Sequence, residues 1–279
     1  MNSPQRERIL VTVKTYPTLS KKYGELVCTA GLREDGSWVR IYPVPFRGLS
    51  EKERYSKFDW IECHIARNTK DERPESFRPI DGGGFHTVGH IDTSHNWLER
   101  RKAVLEKATV YDRLDNLIRG ARDNTQSLAV FRPSEILDFV QEPDDRDWDP
   151  RRVAEAQSYI SQLGFLEDNS WRETFEIVEK IPYKFSYRFK DARGATSKLK
   201  ILDWELGALY RNCLRSSNGD ESVAIEKVRE KYLEQFRETD LHFFLGTTYR
   251  WHRVGTNPWV IAGVFPIPHQ TQGALPLAD

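Results

Sequence analysis

The feature that most constrains the fold is a predicted β-hairpin between residues 25 and 47. Asp35-Gly36 lies at its centre, and this dipeptide tolerates the positive φ that a tight hairpin turn needs. Alternation along the second strand places Trp38, Arg40 and Tyr42 on one face, while Cys28 lies on the first strand. We therefore expect the guanidinium and ring groups to face outward into a cationic recess, with a thiol nearby.

The remaining sequence patterns predict an α+β fold. Short alternating or β-branched segments predict strands, and capped amphipathic segments predict helices. The predicted strands are residues 9–16, 58–66, 85–91, 127–132, 136–140, 183–190, 241–245 and 259–265, and the predicted helices are residues 95–109, 112–122, 150–163, 203–214 and 220–238. This strand spacing, with one helical insertion, predicts a small curled or barrel-like sheet in the N-terminal half, of the OB-like or PUA-like kind.

Residues 141–150 are the best linker candidate in the chain. They contain two prolines and five acidic residues and offer little to bury. We therefore expect a β-rich domain with a helical insertion at residues 1–141 and a mixed α+β domain at residues 151–279.

Charge and cysteine content bear on the partner and the compartment. Lys plus Arg equals Asp plus Glu at 42 each, yet basic residues outnumber acidic ones eleven to six between Met1 and Lys57. A basic front favours a polyanionic partner, although ordinary solvated faces produce similar swings. The three cysteines lack Cys-x-x-Cys spacing, which is typical of reduced thiols, and no apolar run is long enough to span a bilayer. We expect a cytoplasmic protein with no membrane partner.

Cys28 is the candidate catalytic residue. A thiolate nucleophile needs a neighbouring cation that lowers its pKa, and Lys14 or Arg40 on adjacent strands would supply one. A free cysteine on a strand is more often a small buried hydrophobic residue, so both interpretations stay open.

Cations and aromatic rings are interleaved along the first strand and the hairpin. The candidate nucleic-acid-binding residues are Lys14, Tyr16, Arg40, Tyr42 and Arg47. Proteins that bind nucleic acid on a β platform use cations for phosphates and flat rings for bases. The alternative is that the rings are core residues and the arginines pair with Glu25 or Asp59, and no RNP, KH or zinc-finger motif decides between the two.

Two further polar groups carry weaker signals. His86, His90 and His95 are close in sequence but match no metal-binding spacing. Asp203 and Glu205 would suit Mg²⁺ or acid–base work, yet a capped helix start explains them more simply. We therefore predict neither a metal site nor a cofactor.

Five segments along the chain, at residues 14–16, 25–31, 38–47, 203–206 and 243–248, carry a family resemblance. They resemble an uncharacterised bacterial family associated with DNA-modification and phage-defence loci. Within this family the chain is similar to the DpdC-like proteins of 7-deazaguanine DNA modification, which convert a nitrile on the modified base to an amide. The resemblance implies that Cys28 forms a thioimidate with the nitrile and that the basic β face holds the DNA. It also implies other proteins of such a system as partners.

Two functions of different classes follow. The first is a hydrolase- or hydratase-type enzyme acting on a nucleobase in DNA, in which Cys28 attacks and Lys14, Arg40 and Arg47 hold phosphate or base. The second is a non-catalytic reader of nucleic acid, DNA or RNA, in which Arg40 and Tyr42 recognise a modified base. A purely structural partner in a defence complex would do neither.

Overall fold

The fold is α+β, as predicted, and its N-terminal half contains a closed five-stranded β-barrel. The computed structural model describes residues 5–21, 24–80, 84–164 and 177–269. The N-terminal strands are β1 (Gln5–Lys14), β2 (Thr18–Ser20), β3 (Gly24–Leu32), β4 (Trp38–Val44), β5 (Asp59–Arg67), β6 (Ser76–Pro79) and β7 (His86–His90). The barrel closes in the order β1–β3–β4–β6–β5 and back to β1. In addition, β2 pairs with β3 and β7 pairs with β5. The curled sheet expected from the strand spacing is thus confirmed.

The predicted hairpin is formed by β3 and β4. The two strands pair antiparallel, with Ala30 opposite Arg40. Gly36 has a φ of 83° in the connecting turn, and a Cβ at this position would lie 2.1 Å from the Lys107 carbonyl oxygen. Both the backbone angle and the close approach therefore require glycine at this turn.

Apolar side chains fill the barrel interior. On β5 the side chains alternate between the two faces, and Ile61, Cys63 and Ile65 are buried among Ile9, Val39 and other interior residues. The intervening residues Trp60, Glu62 and His64 lie on the outer, more exposed face. This alternation is what a closed barrel of this size needs, since side chains alone fill its centre.

The C-terminal half combines two small sheets with helices. Its strands are β8 (Val110–Tyr111), β9 (Leu128–Phe131), β10 (Glu135–Pro143), β11 (Tyr183–Lys190), β12 (Thr196–Lys200), β13 (Asp240–Thr247) and β14 (Trp259–Ile267). The α-helices in the described part of the chain are α1 (Ser94–Leu105), α2 (Leu114–Arg122), α3 (Pro150–Gly164), α4 (Trp204–Ser216) and α5 (Glu221–Arg229), the last continued by a π-helical turn at Glu230–Gln235. The sheets have the orders β14–β13–β9–β8 and β10–β11–β12. Along the described stretches, no helix combines the length and the hydropathy that a membrane crossing requires.

The four-stranded sheet packs against the outer face of the barrel. Leu10, Val13 and Ala30 on that face share a buried cluster with Phe244 and Phe265 of the sheet. The strand pairings join residues 110–143 to the C-terminal strands through β9–β13 and β10–β11. The division into domains at residues 141–151 stays a prediction. The packing has a direct consequence for the hairpin, because it covers one face of β4.

Candidate functional site

Arg40 lies on the outer face of β4, but the C-terminal sheet covers that face. The prediction that Arg40 faces solvent in an open recess is therefore wrong. Arg40 is 3% exposed, and its guanidinium donates to the carbonyl oxygens of Thr247 at 3.1 Å and Ser127 at 2.8 Å. Burial lowers the pKa of Arg40 to about 10. Arg40 therefore joins the barrel to the C-terminal sheet, because a buried guanidinium needs several acceptors to offset its lost hydration.

The remaining predicted residues of the hairpin lie apart from one another. Arg47 donates to both carboxylate oxygens of Glu25, at 2.7 and 2.9 Å, which is the pairing that the alternative interpretation of the sequence anticipated. Tyr42 is half-buried, and its carbonyl oxygen accepts a hydrogen bond from the Asn68 side chain at 3.2 Å. These residues do not form one continuous cationic face.

Cys28 and Lys14 lie on opposite faces of the barrel wall. Lys14 pairs with Thr29, so these two side chains share a face, and Cys28 is the neighbour of Thr29 on the same strand. Cys28 is half-buried and shares its face with Ala30 and Arg40. Arg40 is therefore the predicted cation on the thiol's side of the wall.

Lys14 instead joins a cluster at the open end of β1 that the sequence did not predict as a unit. We call Lys14, Lys57, Asp203 and Glu205 the lysine–carboxylate cluster. Tyr16 follows β1 and lies beside it, with its ring centroid 6.2 Å from that of Trp204. Residues 15–16 are held beside residues 202–203, just before α4, by a backbone hydrogen bond and an isolated β-bridge.

Lys14 is an unusual lysine. It is 8% exposed, and its Nζ lies 4.2 Å from the ring centroid of Phe46 and 4.7 Å from that of Trp204. Nζ also donates to the Tyr55 carbonyl oxygen at 3.3 Å. Burial lowers the pKa of Lys14 to about 8, and Lys57 adds to this effect while Glu205 opposes it. A sizeable fraction of Lys14 is therefore a neutral amine at mildly alkaline pH.

Lys57 and Asp203 form a buried ion pair at the base of the cluster. Lys57 Nζ lies 3.1 Å from Asp203 Oδ2, and the two side chains are 3% and 0% exposed. Asp203 also accepts hydrogen bonds from the backbone N–H groups of Val264 and Glu205, the latter as the predicted cap of α4. Burial favours the neutral form of Lys57, but Asp203 and Glu205 outweigh it and raise the pKa. Lys57 is therefore a fixed positive charge.

Glu205 is the member of the cluster that reaches solvent. Its Oε2 accepts from Lys57 Nζ at 2.8 Å, while its side chain is 57% exposed. Partial burial would raise the pKa of Glu205, but Lys57 and Lys14 outweigh it and lower the pKa. Its position in the first turn of α4 also favours the carboxylate. The cluster thus combines a readily deprotonated amine with an accessible, ionised carboxylate.

An exposed imidazole and a guanidinium flank the cluster. His90 Nδ1 lies 2.6 Å from Asp59 Oδ1, and the His90 side chain is 47% exposed. The Arg100 guanidinium stacks 4.1 Å from the Phe58 ring centroid and interacts electrostatically with Glu205. These residues belong to the same charged neighbourhood, since Asp59 also acts on Lys14.

Sequence reasoning missed the cluster for a physical reason. The sequence shows the acidic motif Asp203-Trp204-Glu205, but helix capping is sufficient to explain why two acidic residues occur there. The partner Lys57 comes from a loop before β5, and nothing in its local sequence distinguishes it from a surface lysine. Only tertiary packing shows that both sides of the ion pair are buried. As for metals, the stretches that the structure describes contain no group of three or more His, Cys, Asp or Glu side chains placed to hold an ion.

A second buried network surrounds Arg40, and it contains a titratable histidine. His252 is 3% exposed, with Nδ1 2.9 Å from Thr247 Oγ1 and Nε2 2.8 Å from Asn124 Oδ1. Burial lowers the pKa of His252 to about 4, and Arg73 and Arg40 add to this effect. The folded protein therefore favours the neutral imidazole.

This lowered pKa predicts a loss of stability in acid. The unfolded chain binds a proton at His252 near pH 6.5, whereas the folded chain resists protonation down to about pH 4. The stabilisation is therefore complete above pH 6.5 and is lost as the pH falls toward 4. Between pH 7.5 and 5, the free energy of unfolding of the wild type should fall by about 2 kcal/mol more than that of His252→Gln. Urea denaturation at both pH values measures this difference, and equal pH dependence in the two proteins would refute it.

Comparisons with known protein families divide the chain near residue 108. Residues 5–106 match the model described as domain of unknown function DUF8758. Residues 110–277 match the model described as domain of unknown function DUF8757. No curated protein matches the chain. Because the second match covers more than half of its length, the chain belongs to the DUF8757 family.

Proposed function

We propose that the protein is an enzyme that acts on a nucleobase in nucleic acid through the lysine–carboxylate cluster. The observation that carries the proposal is Lys14, whose amine is desolvated over two aromatic rings and has a pKa of about 8. A lysine becomes a usable base or nucleophile when an apolar site or a second cation lowers its pKa, and Lys14 has both.

The cluster suits the addition of water to an electrophilic carbon. The neutral amine of Lys14 removes a proton from water, and the water oxygen bonds to the carbon as one carbon–nitrogen π bond breaks and its electron pair moves to nitrogen. The Lys14 ammonium then returns the proton to that nitrogen. With a nitrile on a 7-deazaguanine base, this step adds one water and leads to the amide. Lys57 and Glu205 hold the charge distribution fixed while the proton moves, because their ion pair is anchored by buried Asp203.

Aromatic side chains beside the amine support a planar substrate. Tyr16 and Trp204 are half-buried, and their rings lie next to each other at the edge of the cluster. Flat rings of this kind stack on nucleobases without strong sequence preference. The resemblance to DNA-modification proteins supports the same substrate class, and in that context other proteins of a modification system are proposed partners.

This proposal transfers the central role from Cys28 to Lys14. A thioimidate on Cys28 would form on the face of the barrel wall occupied by Arg40, away from the amine. A Cys28→Ser variant separates the two mechanisms. We expect it to retain turnover, whereas a thioimidate mechanism requires turnover to be lost.

The pH dependence of turnover follows from the pKa of Lys14. The amine is neutral above its pKa, so kcat/KM should rise with pH and level off above about pH 8. The measurement is a series of initial rates on a modified-base oligonucleotide between pH 6 and 9.5. A rate that does not change across this range would argue against an essential amine with this pKa.

A non-catalytic reader is the second candidate function, and one observation favours it. Tyr249 and Trp251 expose their rings at 61% and 49%, as expected of a binding surface rather than of a core. A screen of modified and unmodified oligonucleotides, followed by mass spectrometry of the bases, distinguishes the two. An enzyme changes the mass of a base, and a reader binds without changing it.

A further inference from the structure

We propose that the loop between β13 and β14, residues 248–257, is a binding surface for single-stranded nucleic acid. The proposal rests on the proposed function for the identity of the substrate, but it concerns a different part of the molecule. We call residues Tyr249 to Val254 the aromatic–basic loop.

Exposed apolar side chains are concentrated in this loop. Among the described residues, five large hydrophobic side chains are exposed, and three of them are Tyr249, Trp251 and Val254 at 61%, 49% and 77%. The other two, Val88 and Leu98, lie on β7 and α1. Exposed rings are costly to leave in water, so their concentration in one short loop indicates a contact surface.

Cations alternate with the exposed rings. Arg250 stacks 4.9 Å from the Trp251 ring centroid, and Arg253 follows two residues later. Lys70 is exposed on the adjoining loop, where its carbonyl oxygen accepts a hydrogen bond from Tyr249. Two acids lie nearby: Asp71 is buried and paired with Arg73, and Glu72 lies 3.6 Å from Arg253 in an exposed pair. Such a pair is weak, so Arg253 can exchange Glu72 for a phosphate at little cost.

The loop is held firmly despite its exposure. Buried His252 links it to Thr247 and Asn124, as described above. Within the loop, the Gly255 N–H donates to the Trp251 carbonyl oxygen at 2.8 Å. A preformed loop loses less conformational entropy on binding, so its rings are ready for stacking.

The chemistry of the loop fits single-stranded nucleic acid better than another protein. Rings that stack on bases, interleaved with arginines that contact phosphates, are the combination that strand-binding grooves use. The exposed cations Lys70, Arg250 and Arg253 outnumber the exposed acid Glu72, and this excess of positive charge favours a polyanionic partner.

Fluorescence anisotropy with a labelled fifteen-nucleotide oligo-dT strand tests the proposal at low salt. Tyr249→Ala and Trp251→Ala should each weaken binding about tenfold, and the double variant more strongly, because each removes one stacking platform. Val88→Ala and Leu98→Ala remove exposed apolar side chains elsewhere and should leave the dissociation constant unchanged. Circular dichroism of each variant verifies folding.

The outcomes separate this proposal from the proposed function. The loop proposal is overturned if the wild type fails to bind the strand, or if the two ring variants bind as tightly as the control variants. It is also overturned if the rings are needed only for binding to lipid vesicles or to a second protein. Loss of binding in the ring variants without any base conversion by the wild type would support the loop and contradict the enzyme. Base conversion by the wild type, together with unchanged binding in the ring variants, would support the enzyme and contradict the loop proposal.

Discussion

Replacement of Lys14 by methionine is expected to reduce turnover of a modified-base oligonucleotide by about 10²- to 10⁴-fold. Methionine keeps most of the length of the side chain, so it can still pack between Phe46 and Trp204, but it cannot accept or donate a proton. The rate is measured by mass spectrometry of the bases after digestion of the oligonucleotide. Because Lys14 is buried as a partly neutral amine, the fold should tolerate the change.

Two matched variants control for charge. Lys14→Arg keeps a cation but stays protonated at all accessible pH values, so it should be as inactive as Lys14→Met. Lys52→Met removes an exposed lysine of the same N-terminal half and should retain wild-type turnover. Full activity in Lys14→Met, or an equal loss in Lys52→Met, would remove Lys14 from the reaction.

The second large effect concerns stability. Lys57→Met should lower the free energy of unfolding by about 3–5 kcal/mol, because it leaves the Asp203 carboxylate buried without its partner. The double variant Lys57→Met/Asp203→Leu should be less destabilised than the sum of the two single variants, since it removes both charges together. Urea denaturation at pH 7 measures all three variants.

An exposed ion pair supplies the comparison. Lys198 and Glu142 lie 2.9 Å apart with both side chains 48% exposed, so Lys198→Met should change stability by about 0.5 kcal/mol or less. If Lys57→Met is as mild as Lys198→Met, the pair at the base of the cluster is not a buried structural contact. If the double variant equals the sum of the singles, the two residues are not coupled.

Local patterns were sufficient to predict most of the elements. The strand at residues 183–190 is found at the predicted bounds, and Asp203 caps α4 as its sequence indicated. The alternation of residue types along β5 likewise matches its alternation of burial. These features depend on neighbours within a few residues, which is the range over which sequence periodicity carries information.

The site depends on contacts that no local pattern encodes. Arg40 alternates with apolar residues in a way that would suit either an exposed or an interdomain face, and only the C-terminal sheet decides that it is buried. Tertiary contacts also place Lys14, Arg40 and Arg47 in three different environments, so they do not form the single cationic surface that was predicted. Lys14 reaches this region because the chain just after β1 pairs with residues almost two hundred positions later, and burial there, helped by Lys57, lowers its pKa to about 8.

The pKa of Lys14 is the quantity on which the account depends most directly. An NMR titration of protein labelled with ¹³C at the lysine ε-carbon reports it, and the signal that disappears in Lys14→Arg assigns the resonance. The proposed chemistry requires a midpoint near pH 8, well separated from those of the surface lysines. A midpoint at the ordinary value of 10.5 would show that the amine is fully protonated near neutral pH and would contradict the proposed chemistry.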